Sequence, residues 1–162
     1  MPEVRVRPTG AAGEPNADVT VAGSSDLKAC EVPPERIPAI IDELPVAAVA
    51  AAAGSWRTVV RGAGELRVKE SDRIAATVRM LRRAGVHVEE MEDGFAVRGG
   101  GPSVEATFDS GKDHRIAMAS AVLALRAERP SVVLDTECVA TSFPDFPELM
   151  NRLRPGTISE GQ

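Results

Sequence analysis

The chain has 162 residues, 43 % of them apolar and 27 % charged, with a formal net charge of −5 and only 3 % aromatic residues. That balance fits one globular unit able to bury about two-thirds of its unfolded surface, and it argues against a disordered chain. With one Trp and no Tyr on an acidic background, the basic, ring-studded face of a nucleic-acid binder is missing, and no run of about 18 uncharged apolar residues offers a membrane span.

In chain order, "EVRVRP" from Glu3 alternates polar and apolar residues as a strand does. A Gly/Ala/Pro/Asn loop at 10–16 leads to "DVTVAG" and, past Ser24-Ser25-Asp26, to "LKACEV"; together these runs predict a small antiparallel set. Beyond Pro33 and Pro34, "IPAIIDELPVAAVAAAAG" predicts a helix with Asp42 as its cap, Pro45 in the first turn and Gly54 as a left-handed stop. "WRTVVRG" is the next strand. A second helix is expected from about Ser71 to Ala84, because Ile74, Val78 and Leu81 recur at helical spacing, Gly85 ends the pattern, and Arg79, Arg82 and Arg83 mark the outer face. "VHVEEM", "GFAVRG" and "SVEATF" follow as short strands, separated by turns at Asp93-Gly94 and at 99–102.

A third helix begins near Asp113 with Ile116, Ala119, Ser120 and Leu123 in its apolar stripe; "SVVLDT" is a strand; a last helix starts after Pro147 and carries Leu149, Met150 and Leu153. Residues 1–155 form the expected domain, and 156–162 a flexible tail. The order is α/β in alternation, without the one-strand-one-helix rhythm of a doubly wound sheet. "DRIAA" at 72–76 and "DHRIAMA" at 113–119 echo each other at helix starts, which suggests a repeat with the two segments at equivalent positions.

The charge placement at those two starts is the main chemical signal. A helix N-terminus carries partial positive charge, which disfavours cations there by roughly 0.3–1 kcal/mol. Arg73 and Arg115 break that preference if Ser71 and Asp113 are the caps, and an anion bound there would reverse the sign of the cost. Surface pairing offers the other explanation: Arg73 with Glu70, Arg115 with Asp109 or Asp113. Lys69 favours a ligand, because a compact cation beside the helix start can reach the anion that the guanidinium of Arg73 grips. Taken singly, Asp42 is a cap, His114 a structural hydrogen-bonding residue and His87 inert. Glu70, between Lys69 and Arg73, stays ionised unless burial or a second acid lifts its pKa into the range of a general acid. Cys30 and Cys138 stand far apart with no second thiol nearby, as reduced packing residues do.

Together, "DELPVAAVAAAAG", "ELRVKESDRIAA", "DHRIAMA" and "VATSFPDF" resemble, in order and spacing, the C-terminal part of the 5-enolpyruvylshikimate-3-phosphate synthase family. The resemblance covers about residues 4 to 153. It implies two domains, each of three βαβαββ-type units closed into an inside-out α/β barrel, of which this chain would hold about two units. It also implies transfer of the enolpyruvyl group of phosphoenolpyruvate to a hydroxyl of shikimate 3-phosphate, through a tetrahedral adduct and without metal or redox cofactor. By motif position Asp42 resembles the family's general base and Glu70 the residue that exchanges a proton with the methylene carbon. Lys69 would contact shikimate 3-phosphate, Arg73 and Arg115 would hold phosphoenolpyruvate, and His114 would support the leaving phosphate.

Thr141 stands where many members carry a lysine, so that cation is missing from the implied pocket. The family's N-terminal domain, which supplies most contacts to shikimate 3-phosphate, has no counterpart here, so the chain is expected to be a portion that is silent until joined by a complementary N-terminal fragment. A non-catalytic anion-binding module and an inactive remnant of the same fold are the competing expectations. With no secretory signal at the Met1 end, the expected compartment is the cytoplasm.

Overall fold

A computed structural model of the chain describes residues 3–10, 16–23, 27–28, 30–101 and 103–159. The first two alternating runs pair as β1 (Glu3–Pro8) and β2 (Ala17–Ala22), antiparallel with Val6 opposite Val19 and Val4 opposite Val21. Most of the loop expected at 10–16, and Ser24-Ser25-Asp26, lie outside the described residues. The third expected strand does not join this hairpin. It shortens to β3 (Glu31–Val32) and runs parallel to β4 (Arg57–Val60), drawn there by Val59 N–H donating to the Cys30 carbonyl.

The proline-rich helix expected after Pro34 breaks into steps. A 3-10 turn at Pro34–Arg36 leads into α1 (Ile37–Ile40), a second 3-10 turn follows at Ile41–Glu43, and only then does α2 (Leu44–Ala53) begin. Asp42 is not its cap. A capping carboxylate accepts from the second or third helical N–H, and with Asp42 as cap that third residue would be Pro45, which has none. Glu43 takes the cap position without a side-chain bond, and the Asp42 carboxylate is left to other partners. Gly54 is likewise not left-handed: its φ of −74° is ordinary, and it is needed because a Cβ there would stand 2.7 Å from the Leu27 carbonyl oxygen.

Beyond β4 and a 3-10 segment at Gly64–Val68 come α3 (Arg73–Arg83), β5 (His87–Met91) and β6 (Gly94–Arg98). Ile74, Val78 and Leu81 are fully buried while Arg79, Arg82 and Arg83 face solvent, as their spacing predicts. Each such aliphatic side chain contributes roughly 1.5–3 kcal/mol of burial. The cap of α3 is Asp72, not Ser71, since its carboxylate accepts the Ala75 N–H. Gly85, at φ +79°, supplies the left-handed stop.

The strand order β3-β4-β6-β5, with β3 parallel to β4 and β6 antiparallel to both neighbours, makes residues 31–98 one complete βαβαββ unit. Its core gathers Leu44, Val49, Val60, Leu81, Phe95 and Val97 between α2, α3 and the sheet. A second unit then starts. β7 (Thr107–Asp109) leads into α4 (His114–Ala124), β8 (Val132–Leu134) runs parallel to β7, and a 3-10 segment at Thr136–Thr141 precedes α5 (Phe146–Leu153). The expected strand at 103–108 is thus reduced to its last two residues and Asp109, with Ser103 held by a single bridge to Ala127.

This count yields the hairpin of one unit, one complete unit, and the βαβα of another, so two units' worth of elements are present. It also corrects the reading of the echo. "DRIAA" opens the second helix of its unit and "DHRIAMA" the first helix of the next, so the similarity is not the trace of equivalent repeat positions. Past Pro155 the chain turns back, and Asn151 exchanges two hydrogen bonds with Ile158, 2.8 and 2.9 Å.

Candidate active site

Helices α2, α3 and α4 begin beside one another, and the residues singled out from the sequence meet there. Arg73, the first residue of α3, is 1 % exposed and aims back across the helix starts. Its Nε donates to Asp113 Oδ2 at 2.8 Å and its Nη2 to Asp113 Oδ1 at 3.3 Å, a two-point grip on the cap of α4. Its Nη1 donates to Asp42 Oδ1 at 2.9 Å, just ahead of α2, and its Nη2 lies 2.6 Å from Glu70 Oε2. The Ser71 hydroxyl completes the shell around Asp113 with a 2.9 Å bond to Oδ2.

Asp113 itself is fully buried and does two jobs. It caps α4 by accepting the Arg115 N–H, and it serves as the interior counter-ion of Arg73. Burial favours its neutral form, but the hydrogen bonds from Arg73 and Ser71 and the attraction of Arg73 overcome that and hold its pKa below the usual carboxylate range. Burial likewise opposes the charge on Arg73, and the Asp113, Glu70 and Asp42 carboxylates more than offset it. Neither charge could stay inside without the other.

Arg115 reaches the same place from the second position of α4. Its Nη1 donates to the Asp42 carbonyl at 2.9 Å and to Glu43 Oε1 at 2.7 Å, and its Nη2 is 3.7 Å from Asp42 Oδ2. The partners anticipated for its guanidinium, Asp109 or the Asp113 side chain, are not the ones it takes; only its backbone N–H bonds Asp113. Lys69 stands at the rim, 2.9 Å from Glu65 and 3.8 Å from Asp42; the bond it donates to Glu65 raises its pKa despite partial desolvation. His114, half-buried at the first position of α4, makes no side-chain hydrogen bond or ion pair among the described residues. His87 faces solvent on β5. Thr141 bonds the Cys138 carbonyl at 2.7 Å at the end of its own 3-10 segment.

Asp42, Lys69, Glu70, Arg73 and Arg115 therefore share one cluster, while sequence patterns alone underrated several of its members. Glu43 and Glu65 draw no attention as surface acids. Arg67 looks like one more exposed cation, yet it binds the α3 cap Asp72 at 2.8 Å and the Met91 carbonyl at 2.7 Å, tying the helix start to the β5–β6 turn. The signal that could have found it is the Arg67–Asp72 spacing across a cap. The cost of placing Arg73 and Arg115 at helix starts is met here by the protein's own carboxylates. Chemically, the cluster offers carboxylates able to move protons beside cations able to hold an anion, with donors and acceptors already ordered.

The family model of EPSP synthase (3-phosphoshikimate 1-carboxyvinyltransferase) matches residues 7–150. A 3-phosphoshikimate 1-carboxyvinyltransferase of Paramagnetospirillum magneticum is 52 % identical over 148 residues, covering 90 % of this chain and 33 % of the relative. One from Akkermansia muciniphila is 51 % identical over 135 residues, covering 83 % of this chain and 31 % of the relative. An EPSP synthase structure from Acinetobacter baumannii superposes with a TM-score of 0.88 at 40 % identity, over 93 % of this chain and 36 % of that one. The chain thus spans about a third of the length of the curated relatives it matches. With the repeated βαβαββ topology and the motif residues gathered at one place, the chain belongs to the EPSP synthase (3-phosphoshikimate 1-carboxyvinyltransferase) family.

Proposed function

We propose that this chain is the C-terminal portion of an enolpyruvyl transferase site, and that it works with a complementary N-terminal portion on phosphoenolpyruvate and shikimate 3-phosphate in the cytoplasm. The observation that carries this reading is the convergence of Asp42, Glu70, Lys69, Arg73 and Arg115 on adjoining helix starts.

In the proposed reaction Asp42 takes the proton of the attacking hydroxyl, whose oxygen bonds to C2 of phosphoenolpyruvate while C3 gains a proton from Glu70. The resulting tetrahedral adduct then expels phosphate as Glu70 takes a proton back from C3, which restores the double bond. Arg115 and Arg73 hold the anionic groups of phosphoenolpyruvate, Lys69 contacts the phosphorylated acceptor, and His114 supports the departing phosphate.

The exposure of the partners orders the exchange. Of the carboxylates on Arg73, Asp113 is buried whereas the Glu70 side chain is 53 % exposed, so an arriving phosphate or carboxylate displaces Glu70 rather than Asp113. Substrate binding would then release the residue that moves the proton. Product formation from both substrates tests the proposal: no turnover by the chain alone, and turnover on adding the N-terminal two-thirds of a relative. Silence of that mixture, with phosphoenolpyruvate still bound, would leave an anion-binding module instead.

A further inference from the structure

Arg67 takes no part in the chemistry proposed above, yet every nitrogen of its guanidinium is engaged. Nε donates to the Glu92 carbonyl at 2.7 Å; Nη2 donates to the Met91 carbonyl at 2.7 Å and to Glu90 Oε1 at 3.2 Å. Nη1 donates to Glu90 Oε1 at 3.2 Å and to Asp72 Oδ2 at 2.8 Å. That is one bond for each N–H group of the fork. The β5–β6 turn, which provides the two carbonyls, also accepts the Gly62 N–H on Asp93 Oδ2 at 2.8 Å and the Ala63 N–H on the Asp93 carbonyl at 2.7 Å. With Leu66 fully buried as well, the chain is held to the hairpin from Gly62 to Arg67.

Beyond that point the support changes. Val68 is 81 % exposed, and Lys69, Glu70 and Ser71 lie between the 3-10 segment and α3 and belong to neither. Their far end is fixed by the Asp72 cap and by the Ser71 bond to Asp113. The Arg67–Asp72 bond joins the two ends, so a side chain closes the loop whose middle carries the residues assigned to proton transfer and acceptor contact. Once an anion has displaced Glu70 from Arg73, the place of its carboxylate depends on its backbone.

We propose that Arg67 is the positioning residue of Lys69 and Glu70: it clasps loop 67–72 shut and seats it on the β5–β6 turn, which keeps the freed carboxylate aimed at the methylene carbon. The chemistry in this inference rests on the transferase reading; the clasp does not. A lysine cannot stand in, because an ammonium has three donors and no planar fork to span a carboxylate on one side and two carbonyls on the other. Arg73 and Arg115 are anchored elsewhere, on Asp113, Asp42 and Glu43, so the grip on phosphoenolpyruvate is separable from the aim of Glu70.

Two variants open the clasp in different ways. R67Q removes the fork. D72N keeps the cap, since its Oδ1 still accepts the Ala75 N–H, and turns an amide donor towards Arg67 in place of Oδ2. In the protein reconstituted with the N-terminal two-thirds of a relative, both are expected to lower kcat about tenfold to a hundredfold, with KM for phosphoenolpyruvate within about twofold of wild type. R67K should fall with R67Q. In the 162-residue chain, hydrogen exchange at the Lys69, Glu70 and Ser71 amides should quicken at least about tenfold in R67Q and D72N while α3 stays protected. Wild-type kcat in either variant, full rescue by R67K, or a KM that rises in step with the loss of kcat would each overturn the assignment. A wild-type mixture without turnover sinks the transferase reading instead, and exchange then decides the clasp by itself: loop amides unchanged in both variants overturn it.

Discussion

The starts of α3 and α4 share an Asp cap and an Arg-Ile-Ala string, and the structure uses them differently. At α3 the cap is partly exposed and held by Arg67, while the arginine is buried; at α4 the cap is buried and the arginine stays at the rim. One residue separates the two cases. Asp72 directly precedes Arg73, whereas His114 intervenes between Asp113 and Arg115, so the same string is offset by one position from its cap. The interlock follows: the cap of α4 is the counter-ion of the α3 arginine, and both arginines meet the carboxylate just ahead of α2. The same few residue types thus give one rigid strut and one adjustable arm.

If that contrast is right, R73A is the most damaging single change. It strands Asp113 in the interior, and chemical denaturation should show a loss of about 3–5 kcal/mol, a large share of the stability of a domain this size. R73A losing no more than R115A would break the comparison.

The acid limb sharpens it. Because the folded pKa of Asp113 is depressed, its contribution is present above the unfolded carboxylate value of about 3.9 and fades as pH falls through the lower, folded value. Wild type should therefore lose stability towards D113N progressively below pH 4, and the gap between them should be constant from pH 5 to 7. A gap that stays open down to the lowest pH would mean that the charge of Asp113 is not what matters.

Smaller effects separate the exposed members. D72A removes a side-chain cap and the Arg67 anchor, with an expected loss of about 1 kcal/mol by denaturation. R115A, at a partly solvated pair, should change stability by less than about 1 kcal/mol. Its cost should appear instead in phosphoenolpyruvate titration of the reconstituted protein, and an R115A form that binds as wild type does would show that the arm is ornamental.

The sequence made these helix starts legible through a cap residue, an apolar stripe and cations out of place. The partners of Arg73 were hidden because Asp113 lies forty positions away, and no local pattern joins them. Asp42 was legible in principle: Pro45 forbids the capping role that its type suggests. The strands of β1–β2 were readable from alternation, but alternation encodes which face is apolar, not whether anything covers it.

The crossing of Gly54 and Gly99 bears on all of this from the far end of α2. A Cβ on Gly99 would stand 2.1 Å from the Gly54 carbonyl oxygen, and Gly99 N–H bonds the Trp56 carbonyl at 3.0 Å, so the last turn of the helix is seated on the end of β6 with no spare room. Ten residues of helix, about 15 Å, separate that seat from Asp42. A rod held this firmly at its foot has little freedom to slide at its head, so a methyl group added at position 99 would be transmitted along its length as a displaced carboxylate beside Arg73.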